Sequence, residues 1–241
     1  MDKKTILEPG KFYHIFNCGI NGEDLFKTNE DYMHWLHLYE RYINPVCETY
    51  AWVLMKNHFH LFVKIKENVI YKYSKEEFSD EDRFKEIKWE TKTLENADRS
   101  STLSGLNCGN LSAYEGPDRL KMKIPQPHLH FSHMFNAYSK YFNLKYHRHG
   151  TLLERPFKRK EVKSNRYFRS VIVYIHQNPV HHGFCEHPLD YGWSSYKTVI
   201  SIKPTKLNRQ EVIGWFDDLG NFKNLHEKLI DTFEIEEWLE I

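Results

Sequence analysis

Two short alternating runs constrain this chain more than any other feature. Glu48–Met55 and His58–Lys66 are separated by only Lys56-Asn57. Period-2 alternation on both sides of a two-residue gap is the pattern of a β-hairpin. Successive strand side chains leave opposite faces, so Phe59, Leu61, Val63 and Ile65 share one face while His58, His60 and Phe62 share the other. The first face is wholly apolar. It needs a covering layer, and that argues for a sheet with helices packed against it.

The flanking sequence supplies the other elements. Lys11–Cys18 reads as a strand and Gly19–Gly22 as a turn. Thr28 and Asp31 have the spacing of a capping box ahead of Tyr32, Trp35, Leu36, Tyr39, Tyr42 and Ile43, which recur at helical spacing until Asn44-Pro45. A second helix is expected over Pro127–Tyr146, with Phe131, Met134, Phe135, Tyr138 and Phe142 on one stripe and Gly150 beyond its end. Lys158–Val162 reads as a last strand. A third helix starts at Asn165, with Phe168, Val171, Ile172 and Ile175 as its apolar stripe, and is expected to end at Asn178-Pro179. The order strand, helix, hairpin, helix, strand, helix predicts an α+β fold, a ferredoxin-like antiparallel sheet with helices packed on one face.

Length and composition set the organisation. At 241 residues, with 40% hydrophobic and 28% charged residues, the chain is expected to form one main domain over 1–200. Residues 67–125, with charged stretches followed by a Ser/Asn/Gly-rich piece, read as an insertion within it. An acidic helical tail is expected over 201–241, including a helix near Gln210–Phe216. The net charge of +1 conceals an uneven distribution. Residues 116–164 hold 11 Lys/Arg against 3 Asp/Glu, whereas residues 201–241 hold 5 against 9. The basic middle is a candidate phosphate-binding face. Cys18, Cys47, Cys108 and Cys185 are scattered without a metal-ligand or disulfide spacing, which points to a reducing cytoplasm. No run of 18 apolar residues occurs, so no membrane span is expected.

His58 and His60, two residues apart on one strand face, can converge on a single divalent ion. On the third helix, Tyr174 and Asn178 are one turn apart. A phenol is a poor nucleophile at neutral pH, and a cation polarising the phosphate it attacks makes it useful. Asn178 offers a neutral oxygen ligand that leaves the cation's charge intact. His176 and Gln177 are rival ligands at another helix phase, and Tyr167 is the next tyrosine on the same helix. By pattern alone, two ordinary histidines on a half-exposed sheet face and a core tyrosine with a satisfied hydroxyl fit better.

Three separated segments then carry a resemblance. AWVLMKNHFHLFVKI (51–65), FNAYSKYFNLKYHRHGTLLERPFKRKEV and YIHQNPVHHGF followed by WSSY resemble, in that order, the REP-associated tyrosine transposases, single-tyrosine HUH enzymes related to the smallest insertion-sequence transposases. YHIFNCGINGEDLF fits the family's opening strand. The resemblance covers most of residues 11–196 outside the insertion. It implies an HUH nuclease fold and DNA transposition or recombination by cleavage of single-stranded DNA near a hairpin through a 5′-phosphotyrosine intermediate. It implies Tyr174 as nucleophile, His58, His60 and Asn178 as metal ligands, and Mg²⁺ or Mn²⁺ as the ion. The partner would be single-stranded DNA carrying hairpin repeats, met by a monomer or a homodimer. Arg148, Arg155, Lys158, Arg159 and Lys160 are the candidate phosphate contacts, and Tyr191 and Trp193 are candidate base-stacking residues or pins for their own loop. His181 stands where the family has Arg, and Leu153-Glu154 where it has Trp-Gln. These departures bear on DNA recognition more than on chemistry.

Overall fold

The computed structural model describes residues 6–67, 69, 71–72, 122–123, 125–229 and 232–239. The elements are β1 (Phe12–Cys18), α1 (Asn29–Tyr42), β2 (Cys47–Leu54), β3 (His58–Ile65), β4 (Tyr71–Lys72), β5 (Met122–Lys123), α2 (Pro127–Lys145), β6 (Lys158–Val162), α3 (Asn165–His181), α4 (Tyr196–Ile200), α5 (Arg209–Trp215), α6 (Leu219–Glu227) and α7 (Phe233–Leu239). Four strands form one sheet in the order β2-β3-β1-β6, antiparallel at every junction. This is the ferredoxin-like β-α-β-β-α-β arrangement, with β1 and β3 central. The short pair β4–β5 stands apart, and most of the 67–125 insertion lies outside the described residues.

Local chemistry accounts for the elements. The Asp31 carboxylate accepts from the Thr28 and Lys27 backbone N–H groups at 2.9 and 2.8 Å, which closes the capping box and starts α1. Pro127 in the first turn of α2 gives up a donor that would be unpaired anyway. The hairpin pairs Leu54 with Phe59 and Val53 with His60, with an irregularity between Thr49 and Ala51.

The alternation divides the sheet cleanly. Tyr13, Ile15, Phe59, Leu61, Val63 and Ile65 face α1 and α2, where Trp35, Tyr39, Met134 and Tyr138 complete a buried core. The opposite face, carrying Phe12, His14, His58, His60 and Phe62, is covered too. There α3 packs through Phe168, Val171 and Ile172, with Phe168 4.5 Å from Phe12 and 5.5 Å from Phe62 between ring centroids. One covered face was expected; the apolar residues flanking the histidines require a second layer.

Pro179 does not end α3. The helix continues to His181, and the Pro179 carbonyl accepts from Phe184 N–H at 2.8 Å. So near the end a proline disturbs little, and Gly183, at φ 71°, makes the stop. The acidic tail packs on the α3 layer through Val212, Phe216, Phe222 and Ile235. Among the described residues, no helix is long and apolar enough to cross a membrane.

Candidate active site

The site is built where β3 meets α3. His58 and His60 leave the same sheet face, and their rings stand nearly perpendicular with centroids 5.3 Å apart. Across from them, α3 presents Tyr174 and Asn178. The Asn178 Oδ1 atom lies 2.9 Å from His58 Nε2, and the Tyr174 ring meets the His60 ring edge-on at 5.4 Å. Residues 120 positions apart in the chain are thereby in direct contact. His176 and Gln177, the rival ligands, are directed elsewhere. Tyr167 is half-exposed and stacks on Trp238 at 4.8 Å.

Both metal-candidate histidines are held from behind. His58 Nδ1 is 2.8 Å from Asn57 Oδ1, and His60 Nδ1 is 3.0 Å from His14 Nε2. Burial lowers the basicity of all three rings: His14 to about 3, His60 well below the usual imidazole value, and His58 in the same direction. The rings are therefore neutral at physiological pH, the form that ligates metals. Neutral His58 carries a single N–H yet faces an amide oxygen at each ring nitrogen. One nitrogen must turn a lone pair toward an oxygen, and that is an arrangement a cation relieves. The 2.9 Å separation of His58 Nε2 and Asn178 Oδ1 is that of neighbouring ligands on an ion with bonds of about 2.0–2.2 Å. The donor set fits a divalent cation. Among the described residues no group of three or more His, Cys, Asp or Glu could hold a metal ion, so a site on His58 and His60 would need the Asn178 amide as its third donor.

Tyr174 is 4% exposed. Burial pushes its phenol up to about 12; the Glu236 carboxylate acts in the same direction, and the Asn178 contact opposes it. Left to itself, this phenol stays protonated at neutral pH. His182, just past α3, brings its ring to 4.9 Å from that of His58.

A solved structure resembles the chain. It is the REP-associated tyrosine transposase bound to a REP hairpin, 13% identical over 85% of this chain and 88% of that chain, with a TM-score of 0.48. That likeness is too distant to place any residue of the site. No family model and no curated protein matches the chain.

The basic candidates divide by strand alternation. Lys158 and Lys160 pair in register with Phe16 and His14, so they lie on the histidine face of the sheet. Lys158 Nζ is 5.8 Å from the centroid of the Phe16 ring, which itself stacks on His14 and His60. Arg159, opposite Ile15, turns to the other face and lies 4.8 Å from the Phe157 ring. Arg148 is engaged by Glu23 at 3.5 Å and by Asn143 at 3.0 Å, and Arg155 donates to Asn136 at 3.0 Å. Tyr191 donates to the Leu54 carbonyl at 2.7 Å and Trp193 stacks on Tyr32 at 4.4 Å, so both pin their loop to the sheet and α1.

The residues between Tyr174 and Asn178 have a structural task that the sequence did not announce. His176 Nε2 is 2.7 Å from Ser195 Oγ, and its Nδ1 is 2.9 Å from His226 Nε2. His226 Nδ1 donates to the Phe222 carbonyl at 2.7 Å, and the Gln177 amide donates to the His226 and Lys228 carbonyls at 3.0 and 2.7 Å. Ser195 also accepts from Trp52 N–H at 2.9 Å on β2. This buried chain of polar contacts fastens α3 to the sheet on one side and to α6 on the other.

Proposed function

We propose that the chain is a metal-dependent transesterase of single-stranded DNA, a transposase-type enzyme acting near hairpins, with Tyr174 as nucleophile. The observation that carries the reading is the contact of His58 with Asn178, one helical turn from Tyr174, which unites the two segments whose sequences resemble the single-tyrosine HUH transposases. His58, His60 and Asn178 would hold Mg²⁺ or Mn²⁺; two imidazoles and an amide oxygen, with phosphate oxygens completing the shell, suit either. Bound there, the cation supplies Lewis-acid polarisation of the phosphate and stabilises the charge that develops in the transition state.

The chain's own residues do the rest. The Tyr174 oxygen attacks the phosphorus, a bond forms from that oxygen to phosphorus, and the bond from phosphorus to the 3′ oxygen breaks. The phenol's proton is balanced by the proton gained by the released 3′-hydroxyl, and the 5′-phosphate stays on Tyr174. Asn178 supports the phenol's ionised form, because its contact lowers the phenol's basicity. Lys158 and Lys160, on the histidine face, hold the flanking phosphates.

Incubating the protein with labelled hairpin-flanked single-stranded DNA and Mn²⁺, then separating the products under denaturing conditions, tests the reading. A DNA-linked protein band is expected. Cleavage without such a band points to a water-using phosphodiesterase, and binding without cleavage points to a non-catalytic relative of the fold.

A further inference from the structure

The two histidines of the candidate site share a feature that the metal reading does not by itself require. Each has its Nδ1 atom against a polar partner: Asn57 Oδ1 at 2.8 Å for His58 and His14 Nε2 at 3.0 Å for His60. In each the other ring nitrogen is Nε2, which in His58 lies 2.9 Å from Asn178 Oδ1. The partners come from different elements, Asn57 from the turn between β2 and β3 and His14 from the middle of β1. Strand order brings His14 there, because β1 lies directly against β3. We propose that Asn57 and His14 are positioning residues, an outer shell that orients the His58 and His60 rings and accepts their Nδ1 protons when a cation takes both Nε2 lone pairs. This inference rests on the metal reading above.

Tautomer logic supports it. A neutral imidazole carries one N–H and one lone pair. Asn57 Oδ1 and Asn178 Oδ1 can both only accept, so without a cation the single proton of neutral His58 suits either nitrogen. A cation shared by His58 Nε2 and Asn178 Oδ1 leaves Nδ1 as the place for that proton, where Asn57 Oδ1 receives it. His14 is less one-sided, since its Nε2 either donates or accepts. If it donates, the His60 proton is forced onto Nε2 and His60 cannot ligate. If it accepts, His60 Nε2 is free and the His14 proton moves to Nδ1. That Nδ1 atom is buried without a hydrogen-bond partner, so nothing behind His14 fixes its tautomer, and a cation at His60 selects the accepting form. The change shifts one proton within each ring and releases none. Phe16 stacks on both rings, at 4.9 Å from His14 and 5.7 Å from His60, and keeps them nearly coplanar at 10°. Outer-shell partners of this kind typically contribute 10- to 100-fold to metal affinity.

The test measures Mn²⁺ binding to the full chain by titration calorimetry, without DNA. Wild type is expected to bind and His58→Ala to lose binding. His14→Phe and Asn57→Leu should each weaken binding by about 10- to 100-fold. His14→Gln, whose amide oxygen can accept the same proton, should recover most of the loss, a rescue that lost packing alone would not produce. Long-range ¹⁵N–¹H spectra of Mg²⁺-saturated wild type read the tautomers directly, whatever the variants' stability, and Nδ1–H is expected on both ligand histidines. Unchanged affinity in a folded His14→Phe, or a proton on His60 Nε2 in the saturated protein, overturns the outer shell and leaves the proposed function standing. A wild type that binds no Mn²⁺ overturns both.

Discussion

The ring of Tyr174 meets the ring of His60 edge-on, with centroids 5.4 Å apart and planes at 85°. One residue belongs to α3 and the other to β3, so the helix that carries the nucleophile candidate is registered directly on the strand that carries the metal candidates. Moving either element by one residue would separate them, and the account of cleavage depends on that registration.

His58→Ala should lose cleavage through lost metal affinity, because it removes one of two imidazoles and leaves the fold's core untouched. Excess Mn²⁺ should partly restore activity by mass action. Rates measured across a Mn²⁺ titration check this: an unchanged metal dependence would place the ion elsewhere.

Lys158 and Lys160 share the histidine face, whereas Arg159 does not. Charge reversal of both lysines should weaken binding of single-stranded DNA and flatten its salt dependence, since each lost phosphate contact lowers the slope of log affinity against log salt by about 0.7. Reversal at Arg159 should leave the slope near its wild-type value. Equal effects at all three positions would mean that DNA follows the strand edge and not the site.

Stability should fall as pH drops below about 6.5. The folded-state pKa values of His14 and His226 are depressed by burial to about 3 and about 4, and those of His60 and His176 are lowered by the same cause. In the unfolded chain these rings take up protons first, so the unfolded state binds more protons between its own pKa and the folded one. The stabilisation is fully present above about 6.5 and is lost on acidification toward 4 and then 3, at about 1.4 kcal/mol per pH unit for each histidine. Denaturant unfolding at pH 7.5 and pH 5 measures it; equal free energies would mean that these rings are not buried neutral.

The polar chain through His176 and His226 should matter for stability. His226→Ala leaves His176 Nδ1 without its partner and removes a ring packed at 4.2 Å from Phe222. A cost of about 1–3 kcal/mol is expected for the unpaired polar group, before any loss of packing. The exposed His37→Ala should change stability by no more than about 0.5 kcal/mol. Equal melting of the two variants would show that the tail is not fastened to α3 in this way.

Much of this architecture is written locally. The hairpin, the two faces of β3, the Thr28–Asp31 cap and the apolar stripe of α3 each follow from spacing within one segment, and the structure keeps all of them. Non-local pairing was not readable in the same way. His14 sits in an alternating strand, yet only the order β2-β3-β1-β6 sets it against His60. The link between His176 and His226 spans 50 residues, and nothing near either residue signals it. The split of Lys158 and Lys160 from Arg159 did follow from strand alternation, once the strand's neighbours were known. At Pro179 a sound local rule gave way, because the last turn of α3 has few backbone bonds left to lose.

Tyr174→Phe tests the central claim most directly. The substitution removes one hydroxyl and keeps the ring that packs on His60, so folding, metal binding and DNA binding should persist. Labelled hairpin-flanked single-stranded DNA, incubated with Mn²⁺ and run under denaturing conditions, should give a DNA-linked protein band with wild type and none with the variant at any metal concentration. A cation cannot replace a missing attacking oxygen. A covalent band that persists in Tyr174→Phe would contradict the account and move the nucleophile to another residue, Tyr167 first.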